Sequence, residues 1–71
     1  MKGLYNTYLG YYEKGEMKGR AQEINYLREI IYIGEFSKNK KNGEGILYDF
    51  DENIILQGKW KDDRFQENIS E

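Results

Sequence analysis

The chain contains no cysteine, no histidine and no proline. Without cysteine there is no disulfide framework, and with histidine missing as well there is neither a zinc site of the Cys/His kind nor a Cys/His nucleophile pair. The composition is compatible with an intracellular, reducing setting, either the cytoplasm or the periphery of a membrane. No apolar run approaches the roughly 20 residues that span a bilayer, and the N-terminal MKGLYNTY lacks the apolar core of a signal peptide, so a soluble chain is expected. Charge of one sign is also lacking. Residues 1–60 hold nine Lys/Arg and nine Asp/Glu, so the formal net charge of -2 resides in residues 61–71. Nucleic-acid binders usually show a concentrated basic face, and nucleic acid is therefore not an expected partner. At 71 residues the chain is one domain at most, and a domain of that size removes only about 60% of its unfolded surface from water.

What is present is glycine and tyrosine, eight of one and seven of the other, which points to a glycine-punctuated β chain. These residues repeat. At an offset of 24 residues Tyr8, Tyr32 and Leu56 share a column, as do Gly10, Gly34 and Gly58, and Tyr12, Phe36 and Trp60. Gly19 falls on Gly43, Ala21 on Gly45, Ile24 on Tyr48, Tyr26 on Phe50 and Ile31 on Ile55. Self-similarity at a fixed period is the mark of a repeat architecture. It divides the chain into repeats at about 8–31 and 32–55 and a partial one at 56–60, within a repeat domain of residues 1–60.

Period-two alternation predicts strands at Tyr8 to Tyr12, Gly19 to Tyr26, Ile31 to Phe36, Glu44 to Phe50 and Ile54 to Trp60, paired antiparallel in sequence order. Leu4 and Tyr5 are expected to lead into the first. Glu13 to Lys18 and the lysine-rich Ser37 to Asn42 read as polar connections. A three-residue loop at Asp51 to Asn53 would set Phe50 against Ile54, Tyr48 against Leu56 and Ile46 against Gly58, with Asn53 at positive φ. That register places Ile24, Tyr26, Tyr48 and Phe50 on the tyrosine face, and Leu9, Tyr11, Ile31, Ile33, Leu47 and Ile55 on the other. The equivalent loop Leu27, Arg28, Glu29 has poor turn residues and is expected to be strained or differently shaped. Lys61 to Glu71 reads as a short capping helix, with Asp62 as N-cap and Phe65 and Ile69 on one face, or as a disordered acidic tail.

The columns resemble the MORN (membrane occupation and recognition nexus) repeat, whose unit looks like Tyr-x-Gly-x-aromatic, a polar loop, Gly-x-Gly, then apolar residues and a tight turn. Tyr32, Gly34, Phe36, Gly43 and Gly45 supply the pattern in order. Tyr8, Gly10, Tyr12 and Gly19 supply most of it, with Ala21 for the last glycine, and Gly58 and Trp60 begin it again with Leu56 for the tyrosine. Departures are Glu29 and Asn53 at turn positions where the family usually has glycine, and a third unit with Glu67 and Ile69 in place of its glycines. The resemblance implies an all-β, elongated, single-layer antiparallel sheet of consecutive β-hairpins with an aromatic stripe on one face. It further implies protein–protein scaffolding, self-association or phospholipid binding; in larger proteins such repeats accompany catalytic domains, and none fits in this chain.

Tyr12, Tyr32, Phe36, Tyr48 and Trp60 are the candidate partner-binding residues, as an aromatic groove for a peptide; their alternative role is the core itself, through cross-strand pairing. Lys38, Lys40 and Lys41 are the candidate lipid-binding residues, a basic loop docking on an anionic membrane surface, against the alternative of a solvated turn. Asp49, Asp51 and Asn53 mimic the start of an EF-hand loop, but Ile54 and Trp60 stand where that loop needs glycine and glutamate. Gly43-Glu44-Gly45 continues into no nucleotide-binding fingerprint. The sequence therefore predicts no catalytic residue, metal or cofactor. The expectation is a non-catalytic protein-interaction or scaffolding module. The alternatives are a peripheral membrane adaptor binding anionic phospholipid and an accessory repeat segment of a larger enzyme or complex. Apolar residues on both faces add a protein partner or self-association to the expectation.

Overall fold

The computed structural model of the chain describes residues 5–66; Leu4 and Ile69, and the expectations placed on them, lie outside that range. Six strands form one antiparallel sheet in the order of the chain: β1 (Asn6–Glu13), β2 (Glu16–Asn25), β3 (Ile30–Ser37), β4 (Lys40–Asp49), β5 (Ile54–Lys61) and β6 (Arg64–Phe65). The described part measures 40 × 27 × 15 Å, so its thin dimension is one sheet with its side chains. The expected all-β meander of hairpins is what forms.

Three tight turns set its rhythm. Lys14-Gly15, Lys38-Asn39 and Asp62-Asp63 lie 24 residues apart, and both residues of each have positive φ, between 50° and 80°. Positive φ at both central positions is the two-residue hairpin geometry whose twist matches that of the strands. Asn39 and Asp63 are the non-glycine types that adopt positive φ most readily. The connections expected at Glu13 to Lys18 and Ser37 to Asn42 therefore shrink to two residues each, and Lys40 and Lys41 belong to β4.

Each later turn also clips onto the repeat before it. Asn39 Oδ1 accepts the Met17 N–H at 2.7 Å while the Asn39 N–H donates to the Met17 carbonyl at 3.3 Å. Asp63 repeats this on Lys41 at 2.8 and 3.0 Å. That clip corrects the helix expected from Lys61 onward: Asp62 sits in a turn, Arg64 and Phe65 form β6, and no helix occurs among the described residues. Asp63 satisfies main-chain groups of β4 as a turn residue, and Phe65 packs on Trp60 with ring centroids 5.3 Å apart.

Strand register sorts the side chains onto two faces. One row runs Gly10, Ala21, Gly34, Gly45, Gly58 straight across the sheet, and beside it runs Tyr8, Glu23, Tyr32, Leu47, Leu56. The small row is empty space that rings fill. A Cβ on Gly45 would overlap the Tyr32 ring, while the Trp60 Nε1–H donates to the Gly45 carbonyl at 3.2 Å. Edge-to-face contacts then link Tyr8 to Phe36, Phe36 to Tyr32, Tyr32 to Trp60 and Trp60 to Phe65, with centroids 5.1–6.4 Å apart. Met17, Ala21, Tyr32, Phe36 and Trp60 are buried by this arrangement without a second layer.

The opposite, outer face carries the rows Thr7, Ile24, Ile31, Tyr48, Ile54 and Leu9, Gln22, Ile33, Ile46, Gln57. Ile24 and Tyr48 are thus on the outer face and Leu47 on the ring-bearing one, the reverse of the expected parity. Two features cause the difference. The two-residue turns at Lys14-Gly15 and Lys38-Asn39 pair Tyr12 with Met17 and Phe36 with Lys41, so odd-numbered residues of β2 and β4 share the face of even-numbered residues of β1 and β3. The bulge opposite Glu35, where Asn42, Gly43 (φ 111°) and Glu44 face one residue, adds two residues and preserves that parity. At the far end the β4–β5 loop is wider than three residues: Asp49 Oδ1 accepts the N–H groups of Asp51 (2.8 Å) and Asn53 (2.9 Å), and Glu52 takes the positive φ of 70° expected of Asn53. The second feature is a one-residue register shift that leaves Ile55 without a register partner between Ile54 and Leu56, so that Leu56 meets Leu47 and Gly58 meets Gly45. The Leu27 to Glu29 turn is shaped differently, as expected, with Glu29 at φ 59° and the Arg28 N–H capped by Asn25 Oδ1 at 2.9 Å.

Candidate functional site

The five candidate aromatic residues do not form one groove. Tyr32, Phe36 and Trp60 are core, at 1%, 3% and 6% exposure. Tyr12 shares their face at the β1 end of the sheet with 42% exposure, and Tyr48 lies on the outer face. Burial, and secondarily the negative charge of Glu35, push the Tyr32 phenol up to about 12, while its O–H donates to the Glu35 carbonyl at 3.0 Å. The folded state therefore holds the Tyr32 proton over a range where the unfolded chain, with an ordinary tyrosine value of about 10, releases it. Stability attached to this group is fully present below about pH 10 and falls as pH rises toward 12. Ultraviolet titration of tyrosinate should show a late-ionising tyrosine that disappears in Tyr32→Phe.

The basic loop also divides. Lys38 and Lys40 are exposed at the β3–β4 turn. Lys41 turns inward between the Tyr32 and Trp60 rings, its Nζ 5.4 and 5.9 Å from their centroids. There it pairs with Glu23 Oε1 at 2.8 Å, with side-chain exposures of 16% and 10%, and lies 3.9 Å from Asp63. The Asn6 amide and the Tyr8 hydroxyl donate to Glu23 Oε2 at 2.5 and 3.2 Å. Lys41 is thus engaged within the fold, leaving two lysines of the three to face a membrane surface.

Sequence reasoning missed this polar cluster although the offset contains it. Glu23 falls on Leu47, and Lys41 falls on Met17 and Phe65, so each charge has an apolar counterpart in a neighbouring repeat. A cleft of about 100 Å³ beside the pair, lined by Glu23, Arg28, Tyr32 and Lys41 among others, is small for any ligand. Asp49 is likewise structural: hydrogen bonds from the Asn53 main chain and side chain hold its carboxyl below the usual carboxylate value. Among the described residues no cluster of acidic side chains is placed to hold a metal ion.

The outer face presents accessible apolar surface. Leu9, Tyr11, Ile33 and Ile55 are exposed, and a shallow groove of about 350 Å³ is lined by Gln22, Ile31, Ile33, Tyr48, Asp49 and Glu52. A second depression of about 250 Å³ continues it past Ile33 and Tyr48 to Arg20, Glu44, Ile46 and Gln57. Apolar side chains ringed by both charge signs suit reversible contact with a protein surface better than they suit water. Compared with models of known families, with curated proteins and with solved structures, the chain has no match.

Proposed function

We propose that the chain is a MORN-like, non-catalytic interaction module that binds a protein partner through the outer face of its sheet. One observation carries this reading: the rings of the repeat are engaged in packing the inner face, yet isoleucine, leucine and tyrosine remain exposed on the outer one. A sheet that has satisfied its own core gains nothing for its fold from Ile33 in solvent. Contact with a partner accounts for it. The resemblance of the glycine and aromatic columns to scaffolding repeats supports the same class of function.

The test compares the protein with Ile33→Lys, whose side chain lies outside the core, so that unfolding does not confuse the result. Partners captured by the protein, and binding of a hydrophobic dye, are expected to fall at least tenfold in the variant with the urea midpoint unchanged. Equal capture by both proteins would overturn the outer-face reading. Co-sedimentation with anionic vesicles that is lost on Lys38→Glu with Lys40→Glu would replace it with the membrane reading.

A further inference from the structure

The open edge of β1 has the register of a self-complementary strand. Each neighbouring pair from β1 to β5 sets small against small along one row: Gly10 opposite Ala21, Ala21 opposite Gly34, Gly34 opposite Gly45, Gly45 opposite Gly58. Among the described residues nothing pairs with the other side of β1. Tyr26 donates its N–H to the Tyr5 carbonyl at 2.8 Å, so by the alternation of an antiparallel ladder Tyr5, Thr7 and Leu9 turn their main-chain groups toward β2. Asn6, Tyr8 and Gly10 turn theirs to the open edge. A strand docking there has to bring a small residue opposite Gly10 if it is to continue the row, and a ring beside it to fill the space above.

β1 itself does both. Turned about a two-fold axis normal to the sheet at Gly10, a second copy places its Gly10 opposite the first, with both N–H groups donating across, and sets Tyr8 opposite Tyr12 of the second copy on the ring-bearing face. The edge between Asn6 and Tyr12 contains no lysine or proline to discourage a visiting strand. Tyr12 keeps 42% of its surface in solvent where Phe36 and Trp60, in the same column of the repeat, keep 3% and 6%. We propose that the protein self-associates as a two-fold dimer through the β1 edge, making one continuous antiparallel sheet across Gly10. This surface is separate from the outer face and independent of the function proposed above.

The test uses the 71-residue chain made by chemical ligation, with Gly10 replaced by N-methylglycine. The substitution replaces the N–H that points to the open edge with N–CH3 and leaves the main-chain donors that face β2 in place. Light scattering from low to high micromolar concentration should show a dimer for the unmodified chain and a monomer, with unchanged circular dichroism, for the modified one. If the modified chain fails to fold, the second measurement decides: a nitroxide on Tyr11→Cys in the unmodified background. Adjacent strands lie about 4.8 Å apart with about 3.4 Å per residue, which brings two such labels within roughly 20 Å. A monomer at every concentration, a dimer indifferent to N-methylation, or labels well beyond that distance would each overturn the proposal.

Discussion

Phe36→Ala should leave most of the protein unfolded at room temperature. The ring is 3% exposed and touches Tyr8 and Tyr32 edge-on, at 6.4 and 5.2 Å, so its loss opens a cavity between two repeats and uncouples β1 from β3. Truncating a buried phenylalanine costs about 3–5 kcal/mol. A core in a chain this short rarely supplies more than about 3–5 kcal/mol in total, so the loss and the whole stability are of equal size. The neighbouring comparison is Lys40→Ala, at an exposed position beside the β3–β4 turn, which should move stability by less than about 0.5 kcal/mol. Urea midpoints for the two variants make the measurement. Equal shifts would mean that the ring ladder is not what holds the repeats together.

Lys41→Met should cost about 3 kcal/mol even though methionine is the residue that the first repeat has in that column. The reason is Glu23, which keeps its position under the sheet with its counter-ion removed; breaking a buried pair leaves an uncompensated charge, and the penalty is about 3–5 kcal/mol. The low end applies here because Asn6 and Tyr8 still donate to the carboxylate. Adding Glu23→Leu, the residue of the second repeat at the equivalent position, should recover the loss to within about 1 kcal/mol, since apolar replacement of a whole buried pair is often neutral or stabilising. With both substitutions in place, position 41 matches the apolar Met17 and Phe65 of its column and position 23 matches Leu47. A double-mutant cycle read by urea denaturation isolates the coupling. Simple additivity of the two single changes would show that Glu23 and Lys41 do not stabilise each other in solution.

Much of the fold was legible because its cause is local and repeated. Tyr-x-Gly-x-aromatic at a 24-residue offset is enough to demand strands that return at that interval, and the strands, their order and their antiparallel sense follow. The identity of the core rings was legible for the same reason, since Tyr32, Phe36 and Trp60 stand in the strongest columns. Parity was not. It depends on how many residues each turn and bulge absorbs: the two-residue turns at Lys14-Gly15 and Lys38-Asn39 pair even-numbered with odd-numbered residues, and one extra residue, Ile55, shifts the register between β4 and β5.

The sequence by itself therefore determined the repeat, the strand content and the absence of thiol and imidazole chemistry, because each of these is a property of residue type and spacing. Only the tertiary structure decided which face each apolar residue meets, because a one-residue difference in a bulge or loop exchanges the faces of everything beyond it. That is why Tyr48, expected within an aromatic groove, stands on the outer face, and Leu47 under the sheet. It also decided that Lys41 answers Glu23 of the preceding repeat instead of a membrane, and that Asp62 and Asp63 turn the chain into β6. Both depend on the clip between consecutive repeats, in which a turn residue of one unit completes the main-chain hydrogen bonds of the last; such a contact exists only once the two units lie side by side.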